Sequence, residues 1–370
     1  MTKAAELAKM GEVLTNSQIG GRRNIVINGA MQVAQRGTSF SLSGTADTFI
    51  TDRFLISNSD TGAWTASQST DSPTGFSNSL KMDCTTADTS PTFLTLMTRF
   101  EGQDLQHLKK GTSSAEKTTL SFFVKSNKTG TYIAELRDID NNRTIGKAYT
   151  ISSADTWEQK IITFDGDTTG AFGNDNGNSL QIIWYLAVGS VYNSGTLATS
   201  WGSRVNANTA VGQVNLADST DNEWYITGIQ LEVGSVATPF EHRSFAEEQR
   251  LCQRYAIVYS KNGQPNMGDK AIGTGASTNS SGGYQAFIFP QVTMRAVPTL
   301  TVGGSVSDYE ILKYETGYVD VNSSISLFSA SGRSLFVLTF SSATAEAERG
   351  RDVIMRLEGD NSSLLFDSEL

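Results

Sequence analysis

Between residues 24 and about 241 the chain repeats one pattern, a strand-length run followed by a tight polar turn, and no helical stretch intervenes. Leu120, Phe122 and Val124 alternate with Ser121, Phe123 and Lys125. Tyr225, Thr227, Ile229 and Leu231 alternate with Trp224, Ile226 and Gly228. A period of two sends successive side chains to opposite faces of a pleated strand. Turns are marked by Asn127-Lys128-Thr129-Gly130, Asp138-Ile139-Asp140-Asn141-Asn142 and Asn174-Asp175-Asn176-Gly177, residue types that bond to their own backbone or accept left-handed geometry. Parallel strands need long crossovers, so this spacing predicts a two-sheet antiparallel sandwich. LQIIWYLAV, residues 180–188, is apolar on both faces and reads as a central strand covered on both sides.

Composition agrees with that pattern and narrows the function. Gly contributes 34 residues and Pro 6, charged residues are 18%, and Ser, Thr and Asn are dense, which suits short strands rather than long helices. At 370 residues the chain has room for two or three domains, each with its own core. A net charge of -9 would repel a phosphate backbone, so nucleic acid is not an expected partner. No run reaches the 18 apolar residues of a membrane span, so no membrane insertion is expected. MTKAAELAKMGEVL lacks the apolar core of a signal peptide, and the chain is expected to stay in the cytoplasm where it is made. Cys84 and Cys252 lie far apart without CxxC spacing, so two buried, unbridged thiols are expected, with no zinc site and no cofactor.

Four segments follow. Residues 1–23 form an attachment segment, with a short helix over 1–19 whose Leu7, Met10 and Leu14 recur at three and four and which Gly20-Gly21 ends. So short a helix is marginal alone, and its stripe must pack on the chain body, on other copies or on a larger particle. Residues 24–241 form the sandwich, closed by Pro239. Residues 242–256 form a linker helix, opened by the capping box Ser244-Phe245-Ala246-Glu247, with Phe245, Leu251, Cys252 and Tyr255 on one face. Residues 257–370 return to strands within 284–292, 323–329, 334–340 and 352–358, after a polar loop over 261–283.

Several long phrases resemble a known family. NIVINGAMQVAQRGTSF (24–40), Thr51-Asp52-Arg53-Phe54, RFEGQDLQHLKKGTSSAEKTTLSFFVKSNKTGTYIAELRD (99–138), WEQKIITFDGDTTGAF (157–172) and WYITGIQLEVGSVATPFEHRSFAEEQRLCQRYA (224–256) resemble a bacteriophage structural module of tail-fibre and related virion proteins. LSFFVKS, then W-x-x-x-x-x-T-F, then EWYITGIQLE are also similar to jelly-roll carbohydrate-binding modules. VTMRAVPTLTV (292–302) and the closing LLFDSEL are similar to fibre-tip domains, and the first 24 residues to a virion-attachment leader. The resemblance implies a mainly β protein, an antiparallel jelly-roll β-sandwich followed by a smaller C-terminal β-sandwich domain. It also implies a homotrimer, attachment to other virion proteins through the N-terminus, a place on the tail or particle surface, and a host cell-surface glycan as receptor. The alternatives are a head-decoration or particle-stabilising protein and a glycan depolymerase.

Jelly-roll modules bind sugars on exposed aromatic rings, because a pyranose has an apolar face that stacks on a ring while polar neighbours take its hydroxyls. Trp184, Tyr185, Tyr192 and Trp201 fall within one strand and the loop after it. The competing reading puts Trp184 and Trp157 in the sandwich core, and gives Trp201 either a ligand or a subunit contact. Tyr284, Tyr309, Tyr314 and Tyr318 are the C-terminal candidates. Asp165-Gly166-Asp167-Thr168-Thr169-Gly170 begins like a calcium loop, but Asn176 stands where the bidentate Glu belongs, and a polar turn is the expectation, with no metal ligands. Asp138, Asp140 and Asn142 read the same way. His107 and His242 sit in structural phrases and are expected to pack or hydrogen-bond. The expected mechanism is binding without turnover, with no catalytic residues.

Overall fold

The computed structural model describes residues 3–4, 23–261, 270–278, 282–313, 317–329, 331–342, 350 and 352–370. Leu7, Met10, Leu14, Tyr314 and nearly all of the expected N-terminal helix lie outside the described residues. The chain divides into two compact units, one reaching Glu248 and one spanning Gln249–Glu369. No helix among the described residues is long and apolar enough to cross a membrane, a statement that says nothing of β-barrels.

In the first unit the described strands are β1 (Ser39–Ser43), β2 (Ala46–Phe49), β3 (Leu55–Ser59), β4 (Ala63–Ser69), β5 (Ser79–Thr86), β6 (Phe93–Glu101) and β7 (Thr118–Ser126). They continue with β8 (Gly130–Asp138), β9 (Arg143–Ile151), β10 (Glu158–Phe164), β11 (Asn178–Val188), β12 (Gly202–Ser203) and β13 (Glu223–Val233). One sheet has the order β1-β4-β5-β13-β7-β10 and the other β12-β9-β8-β11-β6-β3-β2, with antiparallel pairing throughout. This is the expected jelly-roll sandwich. Its core takes alternate residues from both sheets: Leu80, Met82, Phe122, Val124, Trp224 and Ile226 from the first, Leu94, Leu96, Leu136, Ile182, Trp184 and Leu186 from the second. Phe122 meets Trp184 edge-on across the sandwich, with centroids 5.8 Å apart.

The run at 180–188 behaves as its composition demands. β11 is the middle strand of the second sheet, and its Leu180, Ile182, Trp184 and Leu186 enter the main core. Its other face, Ile183 and Tyr185, is covered by a smaller cluster with Ile133, Val188 and Ala210. Part of that cover comes from the excursion between β11 and β13, which includes the short helix α1 (Ser190–Asn193). β13 carries a bulge between Thr227 and Gln230. Gly228 sits there at φ +63°, and a Cβ would lie 2.7 Å from Phe76 and 2.9 Å from Phe123, so only glycine suits both the backbone and the rings above it.

α2 (Phe245–Gln253) starts where the capping motif placed it, with the Ser244 hydroxyl accepting from the Glu247 N–H at 3.3 Å. Phe245, expected on the apolar face, is 56% exposed, whereas Cys252 and Tyr255 are buried. Cys84 is buried as well, and neither cysteine forms a disulfide among the described residues. Burial raises the Cys84 thiol to about 11, which keeps it protonated and inert at neutral pH.

The second unit holds β14 (Ala256–Ser260), β15 (Lys270–Ser277), β16 (Gly283–Ile288), β17 (Thr299–Gly303) and β18 (Tyr309–Lys313). β19 (Gly317–Asp320), β20 (Ser326–Leu327), β21 (Phe336–Ser341), β22 (Asp352–Leu357) and β23 (Ser363–Asp367) follow. A three-stranded sheet, β14-β23-β17, packs on a larger one, β19-β18-β22-β15-β16-β21-β20, around Ile257, Leu364, Phe366, Phe336, Leu338 and Met355. Phe336 and Phe366 stack at 4.2 Å between the sheets. The loop expected over 261–283 is corrected, because β15 occupies 270–277. Its glycines are sheet residues: a Cβ on Gly275 would strike the Gln285 carbonyl of the neighbouring β16.

Candidate functional site

The register of the first sheet builds a row of side chains on its solvent side. Lys81 on β5 is opposite Tyr225 on β13, and Tyr225 is opposite Lys125 on β7. Their chain neighbours Leu80, Met82, Trp224, Ile226 and Val124 enter the core, so this row must face out. Trp157, one residue before β10, extends it, half-buried, with its ring 6.1 Å from that of Tyr225 and nearly perpendicular at 68°. Trp157 therefore lies outside the core that the sequence offered it.

Charged groups fix this pair of rings. The Lys125 ammonium stands 4.3 Å from the Tyr225 centroid and 5.7 Å from that of Trp157, and the Lys81 ammonium 5.6 Å from Tyr225. Lys125 pairs with Asp71, which also accepts from Trp157 Nε1 at 3.1 Å. Glu223 accepts from Lys81 and from the Tyr225 hydroxyl, each at 2.6 Å, and Asp83 lies 3.5 Å from Lys81. The hydrogen bond from Lys125 holds Asp71 below its usual range, against a smaller opposing effect of burial and with help from Trp157. Burial pushes Glu223 up, but the bonds from Lys81 and Tyr225 outweigh it and the carboxyl ends below its ordinary value. Tyr225 is pushed up to about 12, by burial first and then by donation to Glu223. Two ammonium groups thus face three carboxylates around two rings, giving donors and acceptors at the margin of a ring surface. Tyr225 is only 7% exposed, so the half-buried Trp157 ring is the face that could stack on a sugar while its polar neighbours take hydroxyls.

The candidates named from sequence scatter to other places. Trp184 is wholly buried in the core and Tyr185 is 2% exposed, its hydroxyl donating to Glu135 at 2.5 Å. Neither can meet a ligand. Tyr192 is half-buried and packs edge-on against Phe93 at 5.5 Å. Trp201 is half-buried too, with Nε1 donating to the Asp165 carbonyl at 2.7 Å and the Lys110 ammonium 5.5 Å from its ring. In the second unit Tyr284 is buried and stacked on Phe340, and Tyr309 is buried with its hydroxyl between the Gly303 and Ser363 carbonyls, 2.7 Å from each. Both are removed as ligand contacts. Tyr318 stays 51% exposed, with the Arg356 guanidinium 3.2 Å from its centroid. His242 packs on Phe76 and Phe240, at 5.2 and 4.9 Å.

The turn that begins like a calcium loop is filled from within the chain. Asp167 accepts from Arg143 Nε and Nη2 at 2.7 and 2.9 Å, and the Lys110 ammonium lies 3.1 Å from it. The same ammonium is 2.5 Å from Asp138 and donates to the Thr169 and Gly170 carbonyls at 3.0 and 2.7 Å. Burial raises Asp167, yet the bonds from Arg143 and Lys110 prevail and its carboxyl sits below the usual range. In the second unit Glu310, Asp320 and Glu358 bring carboxylate oxygens within 4.8 Å, and Arg356 donates to Glu310. An open groove of about 530 Å³ crosses the outer face of the larger sheet there, over Leu312, Ile354, Thr274 and Phe287.

Fold and site together define a jelly-roll β-sandwich with one half-buried tryptophan, Trp157, among charged side chains on the solvent side of its first sheet. No family model matches the chain, and no curated protein matches it. Among solved structures it is similar to a bacteriophage CBA120 tailspike protein 4 enzymatically active domain, with 15% identity, a TM-score of 0.32, and coverage of 57% of this chain and 21% of that one. A putative sugar binding protein from Bacteroides thetaiotaomicron gives 11% identity and a TM-score of 0.32, over 57% of this chain and all of the other. A family 11 carbohydrate-binding module of a Clostridium thermocellum cellulase gives 12% and 0.27, over 60% of this chain and all of the other. The chain thus spans about a fifth of the length of the tailspike domain. Similarity at these levels assigns neither substrate nor activity.

Proposed function

We propose that this chain is a glycan-binding structural protein of a phage particle, a homotrimeric tail fibre or receptor-binding protein that attaches to host surface sugars without cleaving them. The observation that carries the binding half is the Trp157 ring, half-buried on the solvent side of the first sheet against the buried Tyr225 and near Lys81, Lys125, Asp71 and Glu223. A large ring kept at the surface with its N–H already satisfied offers its apolar face at no hydrogen-bonding cost. The phage half rests on the long sequence phrases described above. Three copies of a weak site would gain avidity because later contacts become intramolecular.

The binding test is titration of the full chain with a panel of purified bacterial surface glycans, repeated with Trp157→Ala. Loss of the stacking ring should weaken binding about tenfold. Equal affinity in the variant would remove Trp157 from the binding reading. Unchanged reducing-end content after long incubation is the outcome expected of a binder. Sugar release would instead favour the depolymerase.

A further inference from the structure

The second sheet carries a different chemistry on its outer face. Arg99 on β6, Gln181 on β11 and Arg137 on β8 are cross-strand partners in one row. Side chains in such a row leave the sheet together, their Cβ atoms about 5 Å apart. Their neighbours Phe100, Leu180, Ile182 and Leu136 point the other way, into the core. A third guanidinium reaches this face from the covering excursion, with Arg204 Nε 3.4 Å from Glu135 Oε1, two residues before Arg137.

Charges here do not balance by pairing. Glu135 is fully buried and its oxygens already take the Tyr185 hydroxyl at 2.5 Å, the Thr144 hydroxyl and Arg204. Arg204 is further tied to Asn206. Asp138, next to Arg137 in the chain, belongs to the Lys110 network on the opposite face. Arg99 is already occupied, its Nη1 donating to the Leu370 oxygen, which leaves Arg137 as the member of the row to account for. Arg137 has no hydrogen-bond acceptor among the described residues, and its Nε is shut off from solvent. Burial first, and then the nearby charge of Arg204, pull the Arg137 pKa down against the opposing pull of Glu135. A half-buried guanidinium with no acceptor suits an anion from outside, which could take two parallel N–H bonds.

We propose that this face is an anion-recognition site in which Arg137, with Arg204 nearby, holds the carboxylate of an acidic sugar or a phosphate group of a surface polymer. The site is separate from Trp157 on the other sheet and does not depend on that ring binding glycans.

The test is calorimetric titration of the full chain with sodium glucuronate, inorganic phosphate and glucose at constant ionic strength, for the natural sequence and for Arg137→Gln and Arg137→Lys. At least one anion should bind while glucose does not. Arg137→Gln should weaken that anion about tenfold or more, and Arg137→Lys should keep part of the affinity but lose the bidentate share. Stronger glucuronate binding identifies a sugar carboxylate, and stronger phosphate binding a phosphate group. Absence of binding by both anions, or an unchanged affinity in Arg137→Gln, overturns the proposal. Should the variants not fold, the thermal midpoint of the natural protein decides: the preferred anion raises it above the value in sodium chloride of equal ionic strength, and equal midpoints overturn the site.

Discussion

Trp157 and Trp184 differ in fate because their neighbours differ. Trp184 lies in a strand whose partners enclose it, so Trp184→Ala should cost about 3–5 kcal/mol in a urea titration. Trp157 is half-buried, with one hydrogen bond to Asp71 and contacts to Tyr225 and Lys125, so Trp157→Ala should cost only about 1–2 kcal/mol while weakening glycan binding about tenfold. The reverse ranking would mean Trp157 is structural. Lys110 carries the opposite prediction. Its side chain is 4% exposed beside Asp138 and Asp167 at 0% and 3%, so Lys110→Met strands buried carboxylates and should destabilise by about 3–5 kcal/mol. Asp167 adds a pH dependence. Its folded pKa lies below the ordinary 3.8, so its contribution is complete above that value and is lost as pH falls through the lower native one. The thermal midpoint should hold from about pH 7 to 5 and drop below about pH 4, and Asp167→Asn should soften that drop. The alternation in the sequence put Trp224 and Tyr225 on opposite faces but could not say which faced out, since that depends on strands far along the chain. Trp157 precedes its strand, so no period spoke for it at all.

At the level of elements, legibility followed side-chain content. From Ile182 to Val188 β11 is apolar at every position, and a strand so built has one stable place, the middle of a sheet covered on both sides. The Ser244 cap likewise marked the start of α2. β15 was hidden, because its glycines serve close strand approach rather than a turn, and the two uses look alike in one sequence. Gly275→Val should therefore behave as a buried overpacking change, lowering stability by about 1–3 kcal/mol or preventing folding of the second unit, as read by circular dichroism. A substitution tolerated without loss would mean that β15 is not paired as described. Strands β14, β17, β18, β19 and β23 are short and were not separable from loop by pattern alone.

For the whole molecule, the sandwich class was legible because antiparallel strands with short turns leave few alternatives, whereas copy number is not written in any local pattern. Light scattering of the full chain should give three times 39.9 kDa, and a monomer would sink the trimeric reading. Each unit has its own hydrophobic cluster, so residues 23–248 alone should unfold in a single cooperative transition. One joint within that unit bears on how the fold responds to dissolved ions. The cation that Asp138 and Asp167 surround is an ammonium belonging to the chain itself. A tethered ion has no dissociation constant and cannot be diluted away, captured by a chelator or exchanged for another. That corner of the fold is therefore indifferent to the mineral content of whatever water surrounds it.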